Sequence, residues 1–135
     1  MVQGAKNTDD AIMLAKSICN SALVKTAIHG CDPNWGRIIS AAGNSGVKFN
    51  FNDVDLYIGN AQILEKGKIN KYDLQKVTDY IKSRMKGRYL VDDTVKIIIN
   101  CNYLSFRLRS VFAIYFNILF RKIAPPSCAF RFARI

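Results

Sequence analysis

The sequence predicts a mixed α/β fold, with helices layered on β-sheets, and three observations carry that prediction. Apolar residues recur at helical spacing in residues 8–19 and 72–86, polarity alternates in short runs on either side of Gly59-Asn60, and a β-branched run fills residues 94–100. The chain has 135 residues, 50% of them hydrophobic, which suits one domain with a core, or part of one.

The first helix is read from Ala11, Leu14, Ala15 and Ile18, which share one face at i, i+3, i+4 and i+7. Thr8 stands where an N-cap is wanted, and Asp9 and Asp10 favour the positive end of the helix dipole. Residues 30–36 read as a tight loop, because Asp32-Pro33 favours a turn, and a short helix over residues 37–42 follows. Beyond Gly43-Asn44-Ser45-Gly46, residues 54–58 and 61–64 form a predicted hairpin around the two-residue turn Gly59-Asn60. Residues 72–86 carry Leu74, Val77, Ile81 and Met85 at helical spacing, with Gly87 as the stop. Residues 94–100 complete the pattern as a strand.

The texture changes at Cys101. Net charge is +10, yet residues 1–100 hold 14 basic and ten acidic side chains, whereas residues 101–135 hold six basic and no acidic ones. Six of the eight Phe lie between Phe106 and Phe132. Residues 111–120 are an apolar decad, interrupted by Asn117 and flanked by Arg107, Arg109, Arg121 and Lys122; ten residues span only about half of a ~30 Å hydrocarbon core, so a buried or interfacial helix is expected there. Two regions result: 1–100, and a divergent basic and aromatic tail over 101–135. A basic binding module whose tail contacts nucleic acid or an anionic membrane is the alternative reading of that charge. Cys19, Cys31, Cys101 and Cys128 form no C-x-x-C pair and follow no apolar leader, so a reducing, cytoplasmic setting is expected.

Residues 23–37 concentrate turn formers, cations, the only Trp and the only His. Functional loops have this composition, and so does an architectural turn in which Arg37 pairs with Asp32. His29 and Cys31, two apart, would share a face of an extended segment as a nucleophile–base pair or half a metal site, but no third group is recognisable, so structural roles are preferred. Residues 43–48 lack the spacing of a phosphate loop. Asp53 and Asp55, and the lysines Lys66, Lys68, Lys71 and Lys76 around Tyr72, are read as solvated surface.

Asn20-Ser21-Ala22-Leu23-Val24-Lys25-Thr26-Ala27, then Gly30, then Asp32-Pro33-Asn34-Trp35-Gly36-Arg37, resembles the signature of the bifunctional ornithine acetyltransferase/glutamate N-acetyltransferase family of arginine biosynthesis. The flanking order also matches over about residues 2–100: Val2-Gln3-Gly4-Ala5 ending a strand, a helix entered through Asp9-Asp10, and a hairpin containing Ile58-Gly59. The resemblance implies acetyl transfer from N-acetylornithine to glutamate through an acyl-threonine. It also implies α and β chains assembled into hetero-oligomers, of which this chain resembles the C-terminal part of a β chain. No cofactor, metal, nucleic acid or membrane enters that route.

The family's self-cleaving Ala-Thr-Met-Leu motif, whose Thr becomes the nucleophile, has no match here; Ala11-Ile12-Met13-Leu14 is only an echo of it. The family's Glu-Gly substrate stretch and its Asp-Leu, Tyr-Val, Ile-Asn, Tyr ending are unmatched too. The expectation is therefore a fragment inactive by itself, a partial domain, with a tail translated out of frame. Lys25, Thr26, Asp32, Asn34, Trp35 and Arg37 match the signature, with an architectural role preferred.

Overall fold

A computed structural model describes residues 1–85, 94–102 and 114–117. The mixed α/β class is borne out: helices lie over one mixed sheet. In chain order these are β1 (Val2–Gln3), α1 (Thr8–Asn20), α2 (Ala22–His29), α3 (Trp35–Gly43), a single 3-10 turn (Phe51–Asp53), β2 (Asp55–Ile58), β3 (Ala61–Glu65), β4 (Lys68–Ile69), α4 (Leu74–Met85), β5 (Thr94–Asn100) and β6 (Ile114–Asn117).

The sheet runs β1-β5-β2-β3-β4, and β6 pairs with β5 beside β1. The central strand β5 is antiparallel to β2, with Leu56 opposite Ile99 and Tyr57 opposite Ile98, and parallel to β1, with Val2 opposite Ile99. Alternation along β5 explains its place: Val95, Ile97 and Ile99 are buried, while Lys96 is exposed and Ile98 half-buried. The buried strand residues join Leu14 and Ile18 of α1, Ile28 of α2, Ile38 of α3 and Ile81 of α4 in one apolar core. Each such side chain contributes roughly 1.5–3 kcal/mol by leaving water.

The predicted hairpin is present, with Ile58 opposite Ala61 across Gly59-Asn60. Gly59 has φ +60°, and a Cβ there would lie 2.8 Å from the Tyr80 ring, so both the turn and the packing of α4 require glycine. Ile63 is an extra residue between paired positions, a bulge that lets Ile63 and Leu64 both be buried. A second tight turn, Lys66-Gly67, has positive φ at both residues and leads into β4, which was not anticipated. The four lysines 66, 68, 71 and 76 are exposed, as expected of a solvated face.

Several expectations are corrected. Asn7, not Thr8, caps α1, because its side-chain oxygen accepts from the Asp10 amide at 2.8 Å. Residues 22–29 form a helix, whereas residues 23–37 are read from the sequence as a loop or architectural turn. The short helix expected over 37–42 starts at Trp35. In the decad 111–120, residues 114–117 are strand rather than helix: Ile114, Tyr115 and Phe116 are β-formers, and the outer edge of β5 offers them unpaired main-chain groups. Gly87, Cys128 and the flanking cations Arg107, Arg109, Arg121 and Lys122 lie outside the described residues. Among the described residues, no single helix is long and apolar enough to cross a membrane.

Cys101 ends β5's register, donating its amide to the Gln3 carbonyl at 2.9 Å, and burial pushes its thiol up to about 11 from 9.0. Between pH 9 and 11 an unfolded chain therefore releases a proton that the fold retains. Stability is expected to fall by about 3 kcal/mol across that window and to be unaffected by this group below it. Urea unfolding at stepped pH checks this, with Cys101→Ala showing the shallower decline.

Candidate functional site

The signature residues build a helix–loop–helix. Ser21 separates α1 from α2: its amide donates to the carbonyls of Ser17 and Ile18, while its hydroxyl caps α2 by accepting from the Val24 amide at 3.3 Å. Within α2, Val24, Ala27 and Ile28 are buried, Thr26 is exposed and Lys25 is half-buried. The end of α2 is a Schellman turn, with Asp32 N–H donating to the Ala27 carbonyl at 2.9 Å and Cys31 N–H to the Ile28 carbonyl at 3.0 Å. Cys31 occupies the left-handed position of that turn at φ +57°. Glycine is favoured there, so Cys31→Gly is expected to raise the urea midpoint, by about 1 kcal/mol of stability. A lowered midpoint would mean that the contact of Cys31 Sγ with Met85 Sδ, 3.1 Å away, outweighs the backbone cost.

Pro33, buried, sets the next bend, across which the Asn34 amide donates to the Asp32 carbonyl at 2.8 Å. Asn34 then caps α3, its side-chain oxygen accepting from the Arg37 amide at 3.3 Å, while its NH2 donates to Asp32 Oδ2 at 3.1 Å. The Asp32 carboxylate thus orients the capping amide. Trp35, half-buried, packs on the core. Arg37 reaches back to α2, where Nη1 donates to the Leu23 carbonyl at 3.2 Å and to Thr26 Oγ1 at 3.3 Å.

Thr26, Asp32, Asn34 and Arg37 are thereby brought into one hydrogen-bonded unit that clamps α2 to α3. Trp35 anchors it, and Lys25 stands on the adjoining face of α2. The pairing of Arg37 with Asp32 is not made: the guanidinium instead reaches the N-terminal half of α2, where the Leu23 carbonyl and the Thr26 hydroxyl accept from it. These contacts engage the polar atoms with main chain and with one another. The arrangement fixes the angle between two helices, and Thr26, Asp32, Asn34 and Arg37 each spend polar atoms on it.

The other candidates resolve similarly. His29 ends α2 and Cys31 is left-handed, so they do not share the face of an extended segment. No cluster of three His, Cys, Asp or Glu side chains suited to a metal occurs among the described residues. Residues 43–46 follow the C-terminus of α3, the wrong end of a helix for phosphate. Asp53 Oδ2 accepts from Asn50 Nδ2 at 2.8 Å. Asp55 accepts from the Lys66 amide at 2.9 Å and from Asn102 Nδ2 at 2.9 Å, tying both hairpins to the end of β5. Asn102 went unnoticed in the sequence; Asn100-Cys101-Asn102 closing a strand was the available signal.

The model for the ArgJ family matches residues 1–104. The chain is 65% identical over 102 residues to the arginine biosynthesis bifunctional protein ArgJ of Prochlorococcus marinus subsp. pastoris, covering 76% of this chain and 25% of that protein. It is 42% identical over 96 residues to the ArgJ of Synechocystis sp., covering 71% and 23%. A crystal structure of the arginine biosynthesis bifunctional protein ArgJ from Bacillus halodurans superposes with a TM-score of 0.68 at 40% identity, covering 76% of this chain and 44% of that one. The chain spans about a quarter of the length of those two curated relatives.

Proposed function

The chain belongs to the ArgJ family, and on that premise we propose that it is a fragment of a cytoplasmic glutamate N-acetyltransferase/ornithine acetyltransferase acting in arginine biosynthesis. The observation that supports this most is the fold agreement with a solved ArgJ at 40% identity, joined to a signature of matching residues that closes into one hydrogen-bonded unit. In the reaction the resemblance implies, a threonine hydroxyl attacks the acetyl carbonyl of N-acetylornithine. The C–N bond breaks and ornithine departs with the proton. The amine of glutamate then attacks the resulting ester and returns the hydroxyl.

No described residue of the signature is arranged to be that nucleophile. Thr26 Oγ1 donates to the Leu23 carbonyl at 3.0 Å and accepts from Arg37, a pairing that holds it on α2. The nucleophile is therefore assigned to family polypeptide outside these 135 residues, and the chain by itself is catalytically silent. Its partners are that polypeptide, in a hetero-oligomer, and the two amino-acid substrates. The family match ends at residue 104, and we read residues 101–135 as a divergent tail, translated out of the family's frame.

The test is acetyl transfer from N-acetylornithine to glutamate, measured with the chain alone and after co-expression with a segment carrying the family's Ala-Thr-Met-Leu motif. Transfer only in the second case is expected. Transfer by the chain alone contradicts the fragment reading, and its absence in both removes complementation.

A further inference from the structure

We infer that Arg37 is a carboxylate receptor: one edge of its guanidinium is committed to α2, and the opposite edge, Nε and Nη2, takes the two oxygens of an external carboxylate. The residue is held at both ends. At its base, the Arg37 amide donates to the Asn34 cap at 3.3 Å. At its tip, Nη1 donates to the Leu23 carbonyl at 3.2 Å and to Thr26 Oγ1 at 3.3 Å, and Thr26 Oγ1 is itself fixed by donating to the Leu23 carbonyl at 3.0 Å. Among the described residues, nothing accepts from Nε or Nη2. Those two nitrogens share the guanidinium edge away from Nη1, where parallel N–H groups match the two oxygens of a carboxylate.

The charge is unanswered as well. Asp32 is the only acid between residues 22 and 43, and its Oδ2 accepts from Asn34 Nδ2 at 3.1 Å instead. Among the described residues the one ion pair is Lys76 with Asp73, at the start of α4. An arginine on a mobile stem gives up rotamer freedom when it grips an anion; Arg37 has already given it up to the clamp between α2 and α3. A single planar fork suits a planar, singly charged carboxylate, whereas a phosphate would leave most of its acceptor oxygens unmet there. Two carboxylates belong to the function proposed above: the α-carboxylate of an amino-acid substrate, and an acidic side chain of the complementing polypeptide. Which of them is taken rests on that reading; the receptor itself does not.

Titration of the full isotope-labelled chain with sodium acetate, followed by NMR against sodium chloride at equal ionic strength, tests this. The Arg37 Nε–H signal, identified by its loss in Arg37→Lys, is expected to move saturably with acetate and not with chloride. The signal of Arg84, whose Nε is buried, is the internal reference and should stay in place. Thr26→Val removes one anchor of Nη1 and is expected to weaken acetate binding several-fold, with slow amide exchange in α1 confirming the fold. N-acetylornithine or glutamate binding more tightly than acetate assigns the site to substrate. Equal binding, with acetate excluded once the complementing segment is co-expressed, assigns it to an acid of that segment. Movement with chloride, equal movement at Arg84, or undiminished acetate binding in a folded Thr26→Val chain overturns the inference. Failed complementation leaves the acetate result standing, so the two readings fail separately.

Discussion

Ile99→Ala is expected to lower the unfolding free energy by about 3 kcal/mol, a large part of the 5–15 kcal/mol typical of a small domain. Ile99 is fully buried on the central strand, opposite Leu56 on one side and Val2 on the other. Truncation leaves a void bounded by two strands that cannot close in, because their spacing is set by main-chain hydrogen bonds. The neighbouring Ile98→Ala removes the same atoms from the opposite, half-buried face and is expected to change stability by less than about 1 kcal/mol. Urea midpoints of the two variants check this; equal losses would mean that the sheet is covered on both faces.

Gly4→Ala is expected to be nearly as damaging, at about 2–4 kcal/mol. Gly4 has φ +60°, and a Cβ there would lie 2.6 Å from Asn100 Oδ1 and 2.8 Å from the Asn102 amide nitrogen. The side-chain clash can be relieved by rotation, but the Asn102 amide is main chain. It is held in place by donating to Asn100 Oδ1 at 3.1 Å, and Asn102 is held further by its side-chain bonds to Asp53 and Asp55. The substitution therefore pushes β1 away from β5 or pulls the Asp55 tie apart. Thermal unfolding of Gly4→Ala and Gly4→Ala with Asn100→Ala separates the two contributions. The double variant should recover little, because the main-chain contact remains; full recovery would place the whole effect on the Asn100 side chain.

Legibility in the sequence followed the type of signal each element carries. α1, the first hairpin and β5 could be read because each has a periodicity reinforced by a local cue, such as Asp9-Asp10 or Gly59-Asn60. α2 was hidden by its setting: Val24, Ala27 and Ile28 form a helical face, but eight residues ending among His, Gly, Cys, Asp and Pro read as part of a loop. The turn at Lys66-Gly67 requires left-handed backbone at a lysine, which composition does not announce. β6 went unseen because its pairing partner, the outer edge of β5, is created only by the tertiary fold.

At the candidate site, Asp32, Asn34, Trp35 and Arg37 stand out by residue type and Thr26 only through the family signature; the structure joins Thr26, Asp32, Asn34 and Arg37 by hydrogen bonds. Which partner each takes was not legible. Arg37 had Asp32 five residues away in sequence, yet the geometry of α3 aims it at Leu23 and Thr26.

The central claim is that these residues supply scaffold while the acyl-carrying threonine lies on other polypeptide of the family. Mass spectrometry after mixing this chain with a complementing segment and isotopically labelled N-acetylornithine, quenched before glutamate is added, tests it directly. The account predicts labelled acetyl on a threonine of the complementing segment and none on residues 1–135. Label on Thr26, or on any other residue of this chain, would contradict it.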